Sequence, residues 1–291
     1  MGNLARSMAA TAAAAILASL SLASWAQAPA DPWKLGQASE NCFLSRSFGS
    51  GAQKMDVFIQ SFGSATPYHV ILRGPGLPLR PQRAEFARIT LGGTDEQDTF
   101  ALIGKSGEIP MAVFAAALPR PLMMTGMIYN YTGFKAGTVV RIDGSAETLT
   151  FDMEDMEPLS LQLGPMAGEY ERLDACAQAL EDKWIRAASP TATPIKGPEL
   201  LHAKETVWHM KYPENLLLNR ISGLVELRMT VDAKGRARDC VVQMATWASR
   251  FGEDSCSALE QTARFQPATD SNGNPVSALF RTGAIFVIHD W

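Results

Sequence analysis

Residues able to do chemistry are few and scattered along the chain. The histidines are His69, His202, His209 and His289. His202 and His209 flank Glu205, a set of types that could hold zinc. Zinc helices space their histidines by one turn, and these two stand seven positions apart, so they read as solvated. Gly104-Lys105-Ser106 has the ending of a phosphate loop, but Thr99 occupies the position where that loop needs its first glycine. Glu154, Asp155 and Glu157 are carboxylates close enough to trade protons, yet in a turn-rich stretch they read as solvated too. Neither G-x-S-x-G nor G-x-G-x-x-G occurs. The chain is therefore not read as an enzyme, and no cofactor or metal is implied.

The cysteines gain meaning from the first residues. Arg6 precedes an apolar run, and Ala26-Gln27-Ala28 before Pro29 has the pattern of a leader cleavage site. Residues 1–28 are thus expected to be a signal peptide and the protein to act in the periplasm; the alternative is an uncleaved inner-membrane anchor facing the periplasm. Membrane contact is expected only in that second case. In an oxidising compartment Cys42, Cys176, Cys240 and Cys256 are expected to pair, with four reduced thiols as the alternative. Of three possible pairings, Cys240–Cys256 and Cys42–Cys176 are chosen. Cys240 shares the apolar face of a strand, and Cys256 lies on the apolar side of the helix that follows. Closing so short a loop is worth about 3 kcal/mol in the chain-entropy model. Paired cysteines cannot serve as nucleophiles.

With 291 residues, 46% hydrophobic and 19% charged, the chain is long and apolar enough for two folded units. A net charge of −4 offers no basic field for nucleic acid. From Cys42 to Leu163, short β-type runs alternate with Gly and Pro: residues 55–62, 69–73, 86–91, 127–131, 138–142 and 147–151. They predict a mostly antiparallel domain over residues 32–187. Its last segment, 168–187, is a helix whose stripe Tyr170, Leu173, Cys176, Leu180 and Trp184 packs on the sheet. Residues 188–199 hold Pro190, Pro194 and Pro198 and read as an extended linker.

Residues 200–291 carry the clearest pattern. Val225, Leu227, Met229 and Val231 alternate with Glu226, Arg228 and Thr230, which predicts a strand with one wet face. Asp232-Ala233-Lys234-Gly235 is a reversing turn. A second strand over 236–244 puts Cys240, Val242 and Met244 on one face. A helix is expected over 253–265, capped by Asp254 or Ser255 and stopped by Pro267. After the turn residues 270–274, a long final strand covers 276–288.

These residues resemble a known family. The order Tyr212-Pro213-x-Asn215-x-Leu217, then the Val231-Asp232-x-x-Gly235-Arg236 turn, then Phe265-Gln266-Pro267-Ala268, is similar to the C-terminal domain of TonB-type energy transducers. The resemblance covers about the last 80 residues. For that part it implies a TonB-like β-β-α-β domain; with the antiparallel β domain and packed helix read from the N-terminal residues, the chain is expected to be α+β. The resemblance also implies a protein partner in the cell envelope, such as a TonB-dependent outer-membrane transporter, held by strand addition. The binding edge would be the final strand, at Thr282, Gly283, Ala284, Phe286 and Ile288. Two features depart from the family: a leader in place of an anchor, and a folded domain in place of a long spacer. The expected function is therefore a periplasmic TonB-like adaptor. The alternatives are an anchored transducer, or an exported enzyme or ligand-binding protein acting through its N-terminal domain.

Overall fold

Alternating apolar residues in the first half build one large curled sheet. The computed structural model describes residues 32–64, 66–117, 139–142, 144–145 and 147–288. The leader, the run at 127–131 and His289 lie outside them. The strands are β1 (Lys34–Gln37), β2 (Cys42–Phe48), β3 (Met55–Ser61), β4 (Tyr68–Arg73) and β5 (Arg83–Leu91). They continue with β6 (Gln97–Ser106), β7 (Ile109–Ala117), β8 (Val139–Arg141), β9 (Thr148–Met153) and β10 (Leu159–Gln162). Their order is β1-β2-β3-β4-β7-β6-β5-β9-β10, all antiparallel, with β8 added parallel to β7.

In β3 every second residue, from Met55 through Val57 and Ile59 to Ser61, points into the core. Phe114, Phe151, Leu44, Ile89 and Ile103 fill its centre. The sheet curls far enough for its two ends to meet. Trp33 Nε1 and Arg46 Nη1, from beside β1 and from β2, both donate to the carbonyl of Leu163 beyond β10, at 3.1 and 2.5 Å. Helix α1 (Ala167–Ala188) closes this core with Tyr170, Leu173, Leu180 and Trp184. The Cys42 and Cys176 sulfurs are bonded, with Cα atoms 6.0 Å apart, which ties α1 to β2.

In this half, the runs named from the sequence leave out β1, β2, β6, β7 and β10. For β6 and β7 the cause is physical. Ala101, Leu102 and Ile103 are all buried, as are Ala112 through Ala116, so no period of two is visible. The second half of the molecule covers their outer side.

That second half has its own core. It comprises β11 (Glu199–Leu201), α2 (Ala203–His209), α3 (Glu214–Leu218), β12 (Gly223–Val231), β13 (Ala237–Ala245) and α4 (Ser249–Thr262). The chain then runs through β14 (Arg264–Gln266), β15 (Ala268–Thr269), β16 (Pro275–Val276) and β17 (Ala278–Phe286). β13, β12 and β17 form a three-stranded antiparallel sheet with β12 in the middle, while β11 pairs with β14 and β15 with β16. The molecule is thus α+β. Phe251, Leu259 and Phe265 pack against Val225, Leu227, Met229 and Val231. Cys240 on β13 and Cys256 on α4 are bonded, with Cα atoms 5.5 Å apart.

Four expectations for this half need correction. β12 has no wet face: Glu226 is 4% exposed, and Arg228 is half-buried. Met244 does not share a face with Cys240 and Val242. Val242 pairs with Leu227 and Met244 with Glu226, so the bulge at Gln243 turns Met244 to the opposite side. The helix starts at Ser249, after Ala248, and ends at Thr262; Asp254 and Ser255 lie inside it and cap nothing. Phe265 instead enters β14. The final strand ends at Phe286, so Ile288 lies past its end.

The Cys42–Cys176 bridge spans 134 positions of sequence and pins a surface helix. Replacing both cysteines by serine should lower stability by about 2–5 kcal/mol in chemical denaturation. Peptide mapping without reductant should recover the two bridges as separate products.

Candidate functional site

Two of the three quoted motifs meet at one end of the sheet, and the third stands at the other. Gly235 sits at φ +74° in the turn between β12 and β13, and a Cβ there would lie 2.1 Å from the carbonyl oxygen of Phe265. The Phe265 amide in turn donates to the Gly235 carbonyl at 2.9 Å. The turn glycine is therefore required by its φ and by the segment crossing over it. Asp232 holds the same turn, accepting from the amides of Lys234 and Arg236 at 2.9 and 3.0 Å and from Arg238 Nε at 2.9 Å. At the other end of the sheet, Tyr212 packs edge-on against Phe251 and Phe286 and donates to the Ile221 carbonyl at 2.6 Å.

The sheet has two outer borders. On β13, the Cys240 amide donates to Glu260 of α4 at 2.9 Å, so a helix side chain occupies that donor. On β17, among the described residues, no strand pairs on the side away from β12. Of the expected edge residues, Phe286 stacks on Phe251, and Ala284 lies in the same core. A Cβ on Gly283 would lie 2.9 Å from Glu226 Oε1 and 3.1 Å from the Val225 carbonyl oxygen. The Ile288 amide donates to Ser222 Oγ at 3.2 Å. Whole-residue exposure is 4% at Thr282 and 1% at Ala284 and Phe286. The strand is a border by topology, and its residues alternate between buried and half-buried, with Gly283 buried at its middle.

The face of this sheet opposite α4 rests on the amino-terminal sheet. Leu102 and Val113 meet Leu224, with Ile71, Met111, Met244, Trp247 and Ile285 around them. A Cβ on Gly104 would lie 2.8 Å from the Trp247 ring, so the glycine of Gly-Lys-Ser makes room for an indole, not a phosphate. Lys105 pairs locally with Glu108.

Charged groups fill the rest of this seam. Arg228 takes both carboxylate oxygens of Glu40 at 2.6 and 2.9 Å and lies over Trp184, 5.3 Å from the ring centre. His69 Nε2 is 2.9 Å from Glu226 Oε1; both side chains are buried, but neither ring nitrogen is aligned for a hydrogen bond. Arg281 donates to the carbonyls of Phe62 and Ser64 at 3.1 and 2.6 Å and to Glu181 at 2.7 Å. Burial lowers the Arg281 pKa, against the pull of Glu181 and Glu226.

The remaining candidates stay apart. His202 and His209 are exposed at opposite ends of the two-turn helix α2, and no described cluster of His, Cys, Asp or Glu could hold a metal. Glu154 and Asp155 lie in the turn after β9, where the Glu154 carbonyl accepts from Arg80. Beside them is a groove of about 630 Å³ lined by Arg80, Arg83, Arg88, Phe86 and Phe100. Its arginines are spoken for by Glu85 and Asp152. Sequence reasoning missed the burial of His69, Glu181 and Arg281. For His69 and Arg281 the visible signal was a polar residue interrupting an apolar segment, while Glu181 begins the charged run Glu181-Asp182-Lys183 on the helix side expected to be polar.

Residues 208–288 match the family described as the Gram-negative bacterial TonB protein C-terminal. No curated protein matches the chain. The carboxy-terminal sheet with α3 and α4 is thus a TonB-type C-terminal domain. Among the described residues, no helix is long and apolar enough to cross a membrane.

Two outcomes test this geometry. Gly235→Ala should cost about 1–3 kcal/mol in denaturant unfolding, because it strains φ and collides with Phe265. Burial raises the phenols of Tyr170 and Tyr212 well above their ordinary value of 10.0. In the unfolded chain they ionise at that ordinary value, so the unfolded state holds fewer protons at higher pH. Their contribution is intact below about pH 10 and is lost above it. Unfolding midpoints measured across that range should fall as pH rises.

Proposed function

We propose that this is a cell-envelope binding protein whose TonB-type domain holds a short extended segment of a TonB-dependent outer-membrane transporter. The segment adds as a fourth strand along the outer side of β17. One observation carries this reading: within a matched TonB-type domain, β17 has a ladder partner on one side only among the described residues. Strand addition supplies main-chain hydrogen bonds to a border that otherwise lacks them. The amino-terminal unit takes the place of the long spacer of a transducer. It makes the protein an adaptor that presents the domain at a fixed site, not one that reaches across a compartment.

The test uses the full chain as bait in outer-membrane extract, with captured proteins identified by mass spectrometry. Adjacent residues in a strand point their amides to opposite sides, so proline at Gly283 and proline at Ala284 strike opposite borders of β17. The substitution that removes the outward donor should abolish transporter capture and leave the fold intact. Capture that survives both substitutions rules out strand addition at β17. Recovery of the mature chain, starting at Pro29, from the soluble periplasm would separate an adaptor from an anchored transducer.

A further inference from the structure

We infer that the amino-terminal unit is a latch on the β17 border, and that Glu181 is the side chain that holds it shut. The inference rests on the strand-addition reading and adds its control.

A border open to water shows main-chain nitrogen and oxygen at every outward residue. Leu224 shares its main chain with Thr246 on the β13 side, so the odd-numbered residues of β12 face β17, and Thr282, Ala284 and Phe286 spend their main chain on β12. The outward main chain belongs to Leu279, Arg281, Gly283 and Ile285, of which Gly283 is buried and the other three are half-buried. The middle of the border is therefore covered in this structure. Three residues of β17 reach the amino-terminal unit from the face opposite α4. Leu279 packs on that unit's core, Ile285 enters the apolar seam, and Arg281 takes the carbonyls of Phe62 and Ser64. Glu181 gathers these pieces. One of its oxygens accepts from Arg281 at 2.7 Å; the other accepts from the Ser64 amide at 2.7 Å and the Ser64 hydroxyl at 2.5 Å. A single carboxylate so joins helix α1, the loop after β3 and the middle of β17.

The contact is also fit to open. Leu102, Val113 and Leu224 form a small buried apolar cluster in it, ringed by half-buried residues such as Trp247, Met244 and Ile285. Beside them stand His69–Glu226, Arg228–Glu40 and Arg281–Glu181, groups that water can solvate once the units part. Interfaces of this polar kind between domains are the ones that separate. A transporter segment gains access to β17 only in the parted state.

Amide hydrogen exchange on the full chain tests this without any ligand. In the unaltered protein, the alternate amides of β17 that point away from β12 should exchange slowly, unlike those of an open border. Glu181→Gln should speed them by about tenfold or more while the β3 amides of Val57 and Ile59 keep their rates. Gly63→Ala gives a second route, because its methyl would lie 2.0 Å from the Arg281 guanidinium without changing any charge. It should open the same amides. Fast exchange of the outward amides in the unaltered protein overturns the latch. So does unchanged exchange in both variants, or equal acceleration in β3. Exchange needs no transporter, so failed capture would sink strand addition and leave this result standing.

Discussion

A middle strand with no face left for water governs this molecule. β12 gives its apolar residues to α4 and its polar residues to the amino-terminal sheet. Charges carried into such a place must find compensation or be neutralised, a carboxylate by gaining a proton and a cation by losing one. Each one here is met from the other unit: Glu226 by His69, Arg228 by Glu40 and the ring of Trp184, and Arg281 on the neighbouring strand by Glu181. The positions of α1, of the β2 approach and of the loop after β3 follow from where those partners must stand. Removing one partner strands a charge, which is more costly than never having buried the pair. Such seams define one docking register sharply while adding little to overall affinity.

The motif residues that carry the family match lie at the two ends of the sheet, apart from the middle of the proposed binding border. Gly235, Asp232 and Phe265 brace one end of the sheet, and Tyr212 with Phe251 and Phe286 braces the other. They fix the twist and length of β12 and β17. The border between them is made of main chain, which any side chains can supply.

How much could be read from residues alone follows the same logic. The β12–β13 hairpin was legible because alternation and a turn glycine agree, and so was α1, because its stripe is continuous. The missed strands β6 and β7 are buried on both sides, where alternation vanishes. The start of α4 was missed because Ala248 caps nothing through its side chain, so no Ser, Asp or Asn marked it. Its end was placed too late because Phe265 keeps the apolar rhythm while pairing as a strand with Leu200. Strand assignment was possible for Glu226 and Arg228, but their burial was not. A period of two gives which side a residue takes, and says nothing about what comes to lie on that side.

The covalent cross-links respect the seam. Cys42–Cys176 lies wholly in the amino-terminal unit and Cys240–Cys256 wholly in the other. Between the units, the chain passes once, through the proline-bearing stretch after α1. A protease that nicked this stretch would turn one molecule into a heterodimer held by contacts alone. Its persistence would then depend on dilution and ionic strength, although every disulfide stayed intact.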